Sequence, residues 1–203
     1  MNLKSTVTDH PILAVLSDRW SPYAFDKRPV PESDLCSLFE AARWAPSSYN
    51  EQPSSYIVAT QDNPDEFARL LSCLVEFNQS WAKAAPVLAL GVVSKKFSHN
   101  NRENRSAVHD LGLASGNLLA EATARGICVH QMAGISPEKA RELYQIPQDS
   151  EAWTALAIGY HGDPSKLPEE LKKREDAPRQ RKELSQFVFT GTWEQPAPFA
   201  QKK

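Results

Sequence analysis

The chain has 203 residues, 41% of them hydrophobic and 24% charged, with a formal net charge of −2. That size and balance fit one soluble domain with a sizeable core, and they exclude the basic footprint of a nucleic-acid-binding protein. Three cysteines (Cys36, Cys73 and Cys128) are odd in number and far apart, which argues against a disulfide framework or a zinc site and favours a reducing, cytoplasmic setting.

Residues 9–17 suit a short helix. Over 32–45 the apolar positions Leu35, Leu38, Phe39, Ala42 and Ala45 recur at helical spacing. The next stretch, RWAPSSYNEQPSSYIVA, runs from Arg43 to Ala59 and passes from a helix end to a strand at 55–60 through a loop of small polar groups. Residues 63–77 read as one helix, with Asn63 as N-cap, Pro64 at the first position, and Phe67, Leu70, Leu71, Leu74 and Val75 facing inward. The continuous apolar run 86–94 predicts a strand buried on both faces. A polar loop, 95–106, precedes the longest helix, 107–125. That helix carries Val108, Leu111, Ala114, Ser115, Leu118, Leu119 and Ala122 on one face, and Gly126 ends it. Its inward residues are mostly small, as suits a central helix or one at a subunit contact.

A strand at 127–132, a helix over 136–145 (Ser136 as N-cap, Pro137 first) and a strand at 153–162 complete the core. Beyond Pro164 the chain becomes charged and rich in proline, an arm lying on a surface. Residues 187–193, FVFTGTW, again read as a strand, one that pairs away from its own core on a partner subunit. The pattern is an α/β alternation in one domain spanning 1–203, with a core at about 9–163 and a C-terminal arm at about 164–203.

The residues at 1–20 do not read as a signal peptide, because the apolar run 12–16 is short and charge follows it. No stretch is long and apolar enough for a membrane-spanning helix. Asn78-Gln79-Ser80 and Asn104-Arg105-Ser106 match the glycosylation pattern, with nothing else pointing to secretion. No GxGxxG follows a strand, no phosphate-binding GxxxxGK[ST] is present, and the five histidines show no ligand spacing. Ser80 to Lys83 and Ser136 to Lys139 have the SxxK spacing of serine hydrolases, but no SDN or KTG accompanies them, and Ser136 is better explained as an N-cap.

What remains is a scattered polar set: Arg19, Ser21 and Tyr23; Ser47, Ser48, Asn50 and Gln52; Asn78; Arg179 and Arg181. Singly, each has an ordinary account as a turn, cap or solvated charge. Together they fit one ligand with a dianionic end, a polyol middle and a flat ring rich in hydrogen-bonding atoms. Arginine forks suit a phosphate, while serine, asparagine and glutamine suit hydroxyls and ring carbonyls. That describes riboflavin phosphate, FMN.

At these positions the sequence resembles the nitroreductase family of FMN-dependent oxidoreductases. The matching pieces run in the family's order from about Leu13 to Trp193. RWSPYAF (Arg19, Trp20, Ser21, Tyr23) resembles the family's Arg-x-Ser-x-Arg segment. LFEAARWAPSSYNEQPSSYIVA resembles its Pro-Ser-Ser-x-Asn-x-Gln-Pro signature, the most specific match. FNQSWAKAAPVLALGV, HDLGLASGNLLAEATARGICVHQMAGI, AIGYHGDP and PRQRKELSQFVF resemble the segments that follow. The resemblance implies an α+β fold, a three-layer sandwich around a mixed β-sheet, whose C-terminal arm extends onto the partner subunit of a homodimer with FMN at the interface. It implies ping-pong hydride transfer from NADH or NADPH to a nitroaromatic, a quinone or a similar electron-poor acceptor. A specialised flavoenzyme (destructase- or dehalogenase-like) and a non-catalytic flavin-binding protein are the alternatives.

Carried over by position, Arg19, Ser21, Arg179 and Arg181 match phosphate-end contacts, and Asn78 a contact to the ribityl chain or ring edge. Pro46, Ser47, Ser48, Asn50 and Gln52 match the loop that the partner lays against the flavin. Ala133 and Gly134 match backbone contacts to the ring, and Met132 either lines the ring or belongs to the core. No protein side chain is expected to be catalytic, since the flavin carries the redox chemistry. Two departures stand out. Tyr23 replaces the family's usual cation near the N1–O2 edge, which implies a lower flavin potential, and Ser54-Ser55 replace a common Trp-Arg. The polar loop 95–106 is expected to cover the cleft.

Overall fold

The long apolar run becomes β2 (Val87–Ser94), an interior strand of a four-stranded sheet in a computed structural model that describes residue 4 and residues 6–201. The others are β1 (Ser54–Thr60), β3 (Cys128–Met132) and β4 (Ser150–Gly159), in the order β1-β2-β4-β3. Alternate residues of β2 point into two separate cores, which is why the run shows no polar alternation. Leu88, Leu90 and Val92 meet Phe67, Leu70, Trp81 and Ala140 on one face; Val87 and Ala89 meet Leu38, Ala42, Ala114, Leu118 and Ala122 on the other. The fold is therefore an α+β sandwich of three layers, helix on sheet on helix. One outer layer holds α2 (Glu32–Arg43) and α5 (Ala107–Ala124). The other holds α3 (Pro64–Leu71), α4 (Glu76–Ala82), α6 (Pro137–Tyr144) and α7 (Glu169–Asp176). Leu88 and Leu90 are fully buried, each stabilising the fold by roughly 1.5–3 kcal/mol.

Local signals hold where they concern caps. The Asn63 and Ser136 side chains accept from the Glu66 and Lys139 backbone N–H groups, each with proline at the first helical position. The small face of α5 lets α2 approach, and Asn117 Nδ2 donates to the Ala41 carbonyl at 3.2 Å.

Five expectations are corrected. The N-terminal helix is only α1 (Ala14–Asp18). The helix read over 63–77 breaks, because the chain leaves α3 to bridge Leu74 to Ile135 and to donate the Val75 N–H to the Gly134 carbonyl at 3.1 Å; it restarts as α4. Val75 and Val108, read as inward, are exposed. All strand pairs are antiparallel, not mixed. The segment expected to add a further strand, 187–193, instead folds on itself. Gly191 at φ +74° turns the chain, Phe189 bridges Pro196, and the Ala197 N–H returns to the Val188 carbonyl at 3.0 Å.

β4 carries a bulge. Gly91 faces Thr154 and Val92 faces Ala152, so Trp153 is an extra residue and stands exposed. The bulge inverts the inward–outward phase, and Ala152 and Ala155 both enter the same core. Within the chain, the arm lies against the N-terminal segment: Lys4 Nζ donates to the Ala177 carbonyl at 3.0 Å, and Arg179 Nη1 to the Ser17 carbonyl at 2.5 Å. No helix among the described residues is long and apolar enough to cross a membrane.

Candidate functional site

Three guanidiniums from opposite ends of the chain lie within reach of one another's charge, and one of them bonds a hydroxyl. Arg19 follows α1, and its Nη1 donates to Ser21 Oγ at 3.1 Å. Arg179, carried by the arm, donates from Nη1 to the Lys4 and Ser17 carbonyls at 2.8 and 2.5 Å. Burial first, then the charges of Arg179 and Arg181, push the Arg19 pKa below its ordinary value; burial and Arg181 do the same to Arg179, and Asp18 opposes the shift. Like charges are thus held together by backbone carbonyls against their repulsion. Such a cluster suits a dianion, which would offset the repulsion and accept paired hydrogen bonds.

A second group lies where the turn after β3 packs against α4. The buried Asn78 donates from Nδ2 to the Gly134 carbonyl at 3.0 Å. The fit leaves no room: a Cβ at Gly134 would stand 2.6 Å from Asn78 Nδ2 and 2.8 Å from Val75 Cγ2. Gly134→Ala is therefore expected to destabilise the fold by about 1–3 kcal/mol in urea unfolding, because the nearer neighbour, Asn78, is buried and held by its bond to the Gly134 carbonyl. Ala133 is exposed beside it, and its carbonyl accepts from the Ile135 N–H at 2.9 Å.

His130 joins these two groups. Its Nδ1 lies 2.9 Å from the Pro22 carbonyl, so that nitrogen carries the proton, and its ring packs on Trp81 and Tyr23. Burial lowers its pKa from the ordinary 6.5. The folded protein then binds fewer protons than the unfolded chain as the pH falls below about 6.5, so stability declines over that window and levels off below the lowered folded value. His130→Asn keeps a donor for Pro22 and should flatten the fall of Tm below about pH 6.5.

The polar loop is built differently. Ser47 Oγ accepts from the Gln52 N–H at 2.9 Å, the Ser48 N–H is donated to Asp110 Oδ2 at 3.1 Å, and Gln52 Nε2 reaches the Asn50 carbonyl at 3.2 Å. Tyr49, Asn50 and Gln52 all have positive φ (55°, 55° and 53°), a region that side chains other than Asn and Asp rarely occupy. Pro46, Ser47 and Gln52 line a cavity of about 180 Å³ with Arg43, Asp110 and Ala114. Residues 95–106 pack against this loop: the Ser98 N–H donates to Glu51 Oε1 at 2.7 Å, holding that carboxyl below the usual range.

One chain does not bring the two halves together. The loop enters β1 at Ser54, and Ala133 leaves β3 at Met132, at the same end of the sheet but on opposite edges. Three strand spacings, about 14 Å across the sheet, lie between them, and Met132 is level with Ile57, a further three residues along the strand from Ser54.

Some of the expected ligand residues turn their side chains into the protein. The Trp20 ring is buried edge-on to His161 at 5.0 Å, and the Met132 side chain lies in the core. The Tyr23 ring is half-buried and packs on Trp81 and His130, at 5.1 and 4.8 Å. The Ser80 hydroxyl donates to the Phe77 carbonyl of its own helix at 2.6 Å, and Ser136 caps α6. Sequence reasoning missed Asp110, which anchors the loop, and Glu175. Glu175 is only 3% exposed, and accepts from the Tyr23 N–H at 2.7 Å and from His161 Nε2 at 2.9 Å. Nothing local marks it among the charges of α7.

The family model described as "Nitroreductase family" matches residues 16–160. A solved oxidoreductase containing FMN shares 32% sequence identity, covers 95% of this chain and 97% of its own, and superposes with a TM-score of 0.87. An uncharacterized 15.4 kDa protein of Mycolicibacterium smegmatis is 33% identical over 135 residues, 66% of this chain and 90% of its own. An NAD(P)H FMN reductase of Bacillus subtilis is 24% identical over 204 residues, 87% of this chain and 78% of its own. The signature loop, the three-layer sandwich and the matched span agree, and the chain belongs to the nitroreductase family of oxidoreductases.

Proposed function

We propose that this chain is an FMN-dependent oxidoreductase that takes hydride from NADH or NADPH and passes the electrons, in a ping-pong cycle, to a nitroaromatic, a quinone or another electron-poor acceptor. The observation that carries this is the cluster of Arg19, which donates to the Ser21 hydroxyl, with Arg179 and Arg181, whose charges act on it; such a cluster suits a phosphate monoester. The residues present fit FMN. Bound there, FMN supplies the two-electron redox chemistry that no side chain of the protein provides. The arginines and Ser21 hold the phosphate, Asn78 and the backbone of Ala133 and Gly134 orient the ring, and Trp20 and Met132 support the site from the core.

The opposite-edge placement of the polar loop favours a homodimer. In it, Pro46, Ser47, Ser48, Asn50 and Gln52 of one subunit close on the ring held by the other, and the arm crosses between subunits. Short side chains and open backbone there let a flat ring and its reactant stack while water is excluded. The three cysteines are free thiols, as a reducing cytoplasm would keep them.

The experiment is a visible spectrum of the purified protein, repeated anaerobically with NADH or NADPH. Flavin absorbance that bleaches, then recovers on adding a quinone, supports the reading. Flavin that never bleaches favours a binding-only protein, and a protein that neither holds nor takes up FMN refutes the proposal.

A further inference from the structure

Tyr49 is the most conspicuous residue that the cofactor reading leaves without a role. It sits at the tip of the polar loop, 85% exposed, although it is a large aromatic. Its backbone is held at φ 55°, ψ 21°, a conformation unfavourable for a tyrosine. The surroundings enforce it: the Asn50 N–H returns to the Ser47 carbonyl at 3.0 Å and the Glu51 N–H to the Ser48 carbonyl at 3.0 Å. Two further rings stand behind it. Phe97 meets Tyr49 edge-on at 5.8 Å, and His99 lies at 6.1 Å. Both belong to the 95–106 hairpin, which is fixed to the loop by Glu51 and to the sheet by ion pairs of Lys95 with Glu151 (2.9 Å) and Lys96 with Asp149 (2.8 Å). A strained, exposed, well-braced ring contributes little to folding. It is arranged to meet something.

We propose that Tyr49, braced by Phe97 and His99, is the acceptor-selecting wall of the site: an electron-rich phenol face on which an electron-poor aromatic acceptor stacks while it faces the flavin. This rests on the FMN reading above and adds what that reading lacks, a surface that distinguishes one oxidant from another. Stacking of complementary rings favours planar aromatic acceptors and offers nothing to a compact inorganic oxidant such as ferricyanide. The brace matters because a mobile tyrosine would lose rotamer freedom on each encounter.

The test uses the FMN-loaded protein with NADH as donor and compares kcat/KM for a naphthoquinone with that for ferricyanide. Tyr49→Ala is expected to lower the quinone-to-ferricyanide ratio by about three- to tenfold, mainly through KM for the quinone. Tyr49→Phe keeps the ratio, and Phe97→Ala lowers it in the same direction by removing the brace. A ratio in Tyr49→Ala within about twofold of the parent, with the flavin still bound, overturns the assignment and leaves the FMN reading standing. A parent chain that binds no flavin overturns the FMN reading first, and this assignment with it.

Discussion

Arg19→Ala weakens FMN binding by about 10- to 100-fold, the worth of one charge-assisted contact, while the cofactor-free fold stays within about 1 kcal/mol of the parent. The two parts of this result have one cause. Without a bound anion Arg19 sits among like charges, and its pKa is lowered by burial and by Arg179 and Arg181. Removing it gives up a hydrogen bond to Ser21 but also relieves repulsion, so the apo protein has little to lose. With the anion bound, the same guanidinium turns from a liability into a partner. FMN titration by fluorescence and the Tm of the apo protein measure the two separately. An unchanged Kd would show that the phosphate lies elsewhere, and a collapsed apo Tm would make Arg19 a structural residue.

Glu175→Ala behaves in the opposite way, lowering stability by about 3–5 kcal/mol and Tm by roughly 6–15 °C before any ligand is considered. The carboxylate ties three parts of the chain: α7, the Tyr23 backbone and His161 after β4. Its loss strands a buried N–H and an imidazole N–H with no acceptor. Glu175→Gln retains an acceptor and should recover most of the loss, which a simple cavity would not allow. Because α7 delivers the chain to Arg179 and Arg181, Glu175→Ala should also lose cofactor on purification. Thermal melts of both variants with and without added FMN decide the matter; equal melting of parent and Glu175→Ala would refute the role given to this carboxylate.

What could be read from the sequence follows the range of the forces involved. Caps such as Asn63 and Ser136 act over three residues, so residue type and spacing reveal them. β2 was legible because burial on both faces removes polar residues from the run. The break between α3 and α4 was not, since it is made by Leu74 and Val75 pairing with a segment about 60 residues away. Tyr23 can be matched to a motif position from sequence, while its packing on Trp81 and His130 depends on two distant elements, α4 and β3. The aromatic run at 187–189 suggested a strand, and the weaker turn signal Thr190-Gly191-Thr192 prevailed. The polar set of the site could be collected from residue chemistry. That its members divide between two edges of one sheet required the strand order.

The bulge at Trp153 has a consequence for insertions and deletions. Trp153 is the one residue of β4 that the ladder can lose. Deleting it would leave Ala155 opposite Leu90, Thr154 opposite Gly91, Ala152 opposite Val92 and Glu151 opposite Val93, now in unbroken one-to-one pairing, so Glu151 would keep its side of the sheet and its ion pair with Lys95. The same deletion between Thr154 and Gly159 has no extra residue to absorb it, and would turn side chains of one core onto the face of the other. Tolerance to a change of length in β4 is therefore confined to the bulge.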